Sequence, residues 1–192
     1  YENNGVIKRS NIADYLKKIN QDDRKKLRKL GVKFGRYHVF LSKLFKPSSV
    51  SLRILLWKSY NNKFLNLSPP TFGLNFVNNM KSTNKDFMLL CGFEKFDDIY
   101  VRIDILERLF LLIFNSEKEG KKEIKVVPEM LNLLGCSKEN FKKLLKKMDY
   151  KIYEKEKELF IKYLPSKNKV SKRHDKKDYS NNPFSVLNQL VL

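Results

Sequence analysis

Between Arg24 and Lys85 the chain carries fourteen Lys and Arg side chains and no Asp or Glu. That stretch constrains the fold more than any other feature, because a surface so unbalanced repels itself unless counterions or a polyanion neutralise it. Elsewhere the charges are mixed. Residues 1–23 set four basic side chains against four acidic ones, and residues 86–164 set sixteen against fifteen. The tail, 165–192, has six against two. Most of the net charge of +19 therefore comes from one third of the 192 residues. Nucleic acid is the obvious polyanion, with an anionic membrane surface as runner-up. Lysine makes up 32 of the 40 cations, a bias that genome composition alone can produce. Such a bias does not account for 62 consecutive residues without an acid.

The hydrophobic share of 42% suffices for a core and excludes wholesale disorder. No apolar run approaches the roughly 20 residues that cross a bilayer. The longest, Ile103 to Phe114, contains Asp104, Glu107 and Arg108, so no membrane partner is expected. No secretory signal is evident and the chain opens on Tyr1. A piece of a longer cytoplasmic protein, or a processed product, is the expectation. Cys91 and Cys136 are too few for a disulfide framework, which makes a reducing compartment the default.

Apolar spacing predicts one or two helices over 11–30, through Ile12, Tyr15, Leu16, Ile19, Leu27 and Leu30. Ser10 or Asn11 is the expected cap, and Gly31 the residue past the end. Arg24, Lys25, Arg28 and Lys29 then share a helix face. A short extended piece follows at Val32–Phe34. From Tyr37 the spacing turns helical until Pro47, and a further helix at about Ser49 to Tyr60 presents Leu52, Leu55, Leu56 and Trp57 to a core. Residues 61–85, with Pro69-Pro70, Gly73 and several Asn, read as a long irregular connection.

Beyond Asp86 the pattern sharpens. Phe87 to Leu90 forms a helical turn closed by Gly92, and Ile99, Val101 and Ile103 alternate as a strand. Asp104 and Glu107 fit a capping box before a helix to about Asn115. Pro128 and Gly135 bracket a short helix. Ser137 caps a helix over 138–149 whose buried stripe is Phe141, Leu144, Leu145 and Met148. Lys151–Tyr153 and Leu159–Leu164 flank a charged turn as in a β-hairpin. The order strand, helix, helix, turn, helix, hairpin is that of a winged helix. The expected fold is α+β, mainly α: a helical basic unit at about 1–97, a winged-helix unit at about 98–164, and a mobile tail from Pro165. Phe184 to Leu190 regains apolar spacing and reads as a short docking helix for a protein partner.

Phosphates require Lys or Arg, and unpaired bases require flat aromatic or guanidinium surfaces. The candidate nucleic-acid-binding set is accordingly Arg24, Lys25, Arg28, Lys29, Lys33, Arg36, Tyr37, His38, Lys43, Lys46 and Arg53. For His38 taken alone, packing and hydrogen bonding inside the fold is the favoured role. A secondary set, Lys142, Lys143, Lys146 and Lys147, lies on the outer face of helix 138–149. His38, His174, Cys91 and Cys136 lack metal-ligand spacing. No Gly-rich phosphate loop or nucleophile elbow occurs, so neither a catalytic residue nor a cofactor is expected in this chain.

Leu27-Arg-Lys-Leu-Gly-Val-Lys-Phe-Gly-Arg-Tyr-His-Val-Phe-Leu41, then Leu44-Phe-Lys-Pro47 and Leu52-Arg-Ile-Leu-Leu-Trp57, resemble a known family. It is the C-terminal region of bacterial superfamily 2 helicases related to the helicase of the mitochondrial RNA degradosome. The resemblance continues at Gly92-Phe93, Val101–Leu109, Val127–Cys136 and Pro183–Leu187. It implies a parent with two RecA-like domains that use ATP and Mg to move on RNA or DNA. Those domains are absent from this sequence, so no catalytic residue carries over. The resulting expectation is an accessory nucleic-acid-binding region of a helicase, with RNA ahead of DNA. The alternatives are a stand-alone winged-helix DNA regulator and a protein-docking module of a ribosome or nuclease complex.

Overall fold

Asparagine, proline and glycine set several element boundaries in the computed structural model, which describes residues 4–61, 66–78, 84–118, 123–155 and 158–164. The class is mixed α+β, with more residues in helices than in strands. The tail from Pro165, with the Phe184–Leu190 segment and His174, lies outside the described residues. Two units form. The first draws its described residues from 4–72 and 84–94, and the second from 73–78 and 95–164. The expected break at 97/98 thus falls between Glu94 and Lys95, and part of the supposed connection belongs to the second unit.

The first unit opens with β1 (Val6–Lys8) and a 3-10 turn at Arg9–Ile12. The stretch expected as one or two helices is two, α1 (Ala13–Lys18) and α2 (Gln21–Lys29). Ser10 and Asn11 lie within the 3-10 turn and cap neither; Asn20 caps α2 by accepting from the Asp23 amide. Gly31, at φ +99°, lets the chain reverse directly into β2 (Val32–Phe34). Residues expected to be helical after Tyr37 instead form β3 (His38–Leu41). Their alternation is of period two, with His38 and Phe40 buried and Val39 and Leu41 half-buried. The sheet order is β1–β3–β2, all antiparallel. Val6 and Lys33 both pair with Phe40, and Lys8 pairs with His38, so these five share one face. Ile7, Val39, Leu41, Val32 and Phe34 occupy the other.

Pro47 opens α3 (Pro47–Tyr60) rather than stopping a helix, because its fixed φ and missing N–H suit the first helical position. Of the four side chains expected to face a core, Trp57 alone is buried. Val50, Arg53, Ile54 and Trp57 are buried, whereas Leu52, Leu55 and Leu56 are 57%, 63% and 46% exposed. Two stripes compete on this helix, and the less leucine-rich one wins because Arg53 finds carbonyl partners inside. Trp57 packs on Phe87 of α4 (Lys85–Leu90), ring centroids 5.5 Å apart. Asn84 caps α4 through the amides of Asp86 and Phe87. Each such core side chain contributes about 1.5–3 kcal/mol through burial.

In the second unit, β4 (Phe76–Asn78) pairs antiparallel with β6 (Ile99–Arg102). Both β4 and β5 (Phe93–Phe96) escape the sequence pattern. β6 leads without a break into α5 (Ile103–Lys118). Asp104 does not close a capping box with Glu107. Both of its oxygens accept from Arg102, at 3.1 and 2.7 Å. After β7 (Ile124–Lys125) come α6 (Pro128–Leu134) and α7 (Lys138–Lys147). Gly135 ends α6 at φ +66°, and Ser137 Oγ caps α7 by accepting from the Asn140 amide. Phe141, Leu144, Leu145 and Met148 are buried as the spacing requires. A hairpin of β8 (Tyr150–Lys155) and β9 (Glu158–Tyr163) completes a sheet of order β7–β9–β8. Among the described residues no helix is long and apolar enough to cross a membrane.

Candidate nucleic-acid interface

The eleven candidate residues of the first unit do not form one surface. Arg53 is 7% exposed, and its guanidinium donates to the carbonyls of Leu44 at 3.2 Å and Asn4 at 2.7 Å. It is an internal strut, not a phosphate ligand. His38 is 3% exposed and lies 3.7 Å from Glu94, which also pairs with Lys8 at 2.7 Å. Burial pushes the Glu94 carboxyl up, but His38 and Lys8 outweigh it and hold the group down to about 2. His38 therefore lies in the interior and not on a nucleic-acid surface.

On α2 the charge boundary misleads in another way. Residue 24 begins the acid-free stretch, but the helix begins three residues earlier and carries Asp22 and Asp23 in its first turn. Lys25 pairs with Asp22 at 3.3 Å and Lys26 with Asp23 at 3.5 Å. Arg24 turns inward and donates to the Leu16 carbonyl. Arg36 and Tyr37 lie half-buried in the β2–β3 turn. Lys33 is exposed on the face of the sheet opposite to Phe34, and Lys46 is exposed at the N-cap of α3.

A smaller group lies around the α2–β2 turn. The Arg28 guanidinium lies over the Phe34 ring, 5.7 Å from its centroid. The aliphatic chain of Lys43 packs against Gly31, where a Cβ would meet it at 3.5 Å. Lys29 sits exposed in the last turn of α2, where the helix dipole favours a cation. None of the three has a carboxylate within ion-pair distance among the described residues. A guanidinium that rests over an aromatic ring and not in an ion pair keeps its donors for a phosphate.

The described first unit holds sixteen Lys and Arg against five carboxylates, and the second thirteen against eleven. Four of the five, Asp14, Asp22, Asp23 and Glu94, are engaged by lysines of the unit itself. In the secondary set, Lys147 pairs with Asp97 at 2.8 Å and Lys142 with Glu154 at 4.0 Å. Lys143 and Lys146 are exposed without such a partner among the described residues. Both thiols are raised by burial, Cys91 to about 12 and Cys136 to about 11, with Arg53 acting against the rise at Cys91.

The sequence reading passed over the outward residues of the β7–β9–β8 sheet, notably Tyr153 and Phe160. The available signal was alternation: Lys151, Tyr153 and Lys155 on one strand, Phe160 and Lys162 on the next. No family model, curated protein or solved structure matches this chain.

Proposed function

We propose that this chain is an accessory nucleic-acid-binding region of an ATP-dependent helicase, acting on RNA in preference to DNA. The observation that carries the reading is the asymmetry of charge. A unit with sixteen cations among its described residues, whose five described carboxylates are mostly engaged already, carries Arg28, Lys29 and Lys43 around the α2–β2 turn. Such a group holds phosphates without reading sequence, since phosphate contacts position a strand and base contacts specify it. The helicase parentage rests on the sequence resemblance, and ATP hydrolysis would belong to domains outside this chain. The second unit, with its order β6–α5–β7–α6–α7–β8–β9, is read as a winged helix. A near-neutral winged helix favours an accessory role over that of a stand-alone DNA regulator.

The test is fluorescence titration of single-stranded RNA with the full chain across a salt series. Binding is expected to weaken steeply with salt and to vary little with sequence. Replacing Arg28, Lys29 and Lys43 by Gln together should lower the slope of log Kd against log salt by about 2. An unchanged slope removes the assignment.

A further inference from the structure

The outward face of the β7–β9–β8 sheet combines paired aromatic rings with lysines. Its register is fixed: Lys125 pairs with Phe160, Phe160 with Tyr153, Lys162 with Lys151, and Glu158 with Lys155. Directly paired residues share a face, so Lys125, Phe160, Tyr153, Lys151 and Lys162 project together. The opposite face holds Ile124, Tyr150, Leu159 and Ile161, all buried. Two aromatic rings therefore lie on the side turned away from the core. They are stacked at 6.0 Å with 12° between planes, and both side chains are half-buried.

Lysines surround the pair. The Lys155 ammonium lies 5.4 Å from the Tyr153 ring centroid and pairs with Glu123 at 2.8 Å. Lys125 pairs with Glu158. Lys151 and Lys162 face each other directly across the strands; neither makes an ion pair among the described residues, and Glu123 acts on Lys162 only at longer range. Like charges placed opposite one another destabilise a hairpin. An anion between them would reverse that sign.

We propose that this face is a stacking platform for unpaired bases of a single-stranded nucleic acid. Tyr153 and Phe160 take the bases, and Lys151 and Lys162 take the adjoining phosphates. The inference rests on the nucleic-acid reading above but concerns a different surface and a different chemistry. Duplexes keep their base faces covered, so the platform selects single strands; stacking on aromatic rings tolerates any base. An acidic peptide would satisfy the lysines but would have no use for two outward rings.

The experiment uses the full chain with three fluorescein-labelled probes of about twelve nucleotides: oligouridylate, an abasic strand of equal charge, and a duplex. Tyr153→Leu and Phe160→Leu preserve net charge and apolar bulk, and thermal melting establishes that both variants fold. Each is expected to weaken oligouridylate binding by about tenfold. Their salt slope and their affinity for the abasic strand should match those of the unchanged chain. Lys151→Gln with Lys162→Gln should instead reduce the salt slope. If wild type binds oligouridylate and both leucine variants bind it equally well, the platform is refuted while the electrostatic reading stands. If no probe binds even at low salt, both fall together.

Discussion

A guanidinium enclosed by carbonyl oxygens is satisfied by hydrogen bonds alone, and Arg53 is such a case in a region without carboxylates. Desolvation lowers its pKa, yet an arginine remains charged over the accessible range. Arg53→Ala would leave the carbonyls of Asn4 and Leu44 without their donor and open a cavity. We expect a loss of about 2–4 kcal/mol in urea unfolding, with the salt slope of RNA binding unchanged. A flattened slope in a variant that still folds would return Arg53 to the interface. Glu94 makes a pH-dependent contribution whose sign is definite. Its folded pKa of about 2 lies below the ordinary 4.5. The stabilisation is therefore complete above the ordinary value and lost as pH falls toward the folded one. Glu94→Gln should be less stable than wild type near neutral pH, and the gap between their urea midpoints should close as pH drops toward about 2. A gap that stays constant would mean that the charge on Glu94 is irrelevant.

At the scale of elements, legibility depended on whether a segment offered one solution or two. α6 and α7 carry Pro128, Gly135 and Ser137 at their ends and a single apolar stripe, so their limits and buried face were readable. On α3, with Trp57 common to both, the set Leu52, Leu55, Leu56 looked better than Val50, Arg53, Ile54, because hydrophobicity counts an arginine against burial. Only the tertiary position of two carbonyls reverses that ranking, and no local pattern records it. β4 is three residues among Asn and Pro, too short for alternation to show. The α3 assignment has a direct check. Ile54→Ala is expected to cost about 2–4 kcal/mol in urea unfolding, while Leu52→Ser and Leu55→Ser should each change stability by about 0.5 kcal/mol or less. A reversed order would restore the leucine stripe to the core.

For the whole molecule, the candidate site was legible as charge but not as geometry. Counting acids located the basic unit, but it could not foresee that Asp22 and Asp23 would reach forward onto Lys25 and Lys26, or that Lys33 would face away from Arg28. The surviving imbalance has a consequence for the isolated protein. Sixteen cations against five carboxylates among the described residues of one folded unit repel at short range, and salt screens that repulsion over a Debye length of about 10 Å near 0.1 M. The single tryptophan, Trp57, lies buried in this same unit and reports on its unfolding. Its fluorescence melting midpoint should rise as sodium chloride increases from about 0.02 to about 0.3 M. A polyanion such as heparin should raise it further at the lowest salt, through binding to the folded form. Replacing Lys29 and Lys43 by Gln should raise the midpoint at low salt and blunt both responses. If the midpoint instead falls with salt, the ion pairs Lys8–Glu94, Lys25–Asp22 and Lys26–Asp23 outweigh the repulsion. The unit would then have no electrostatic need of a polyanion.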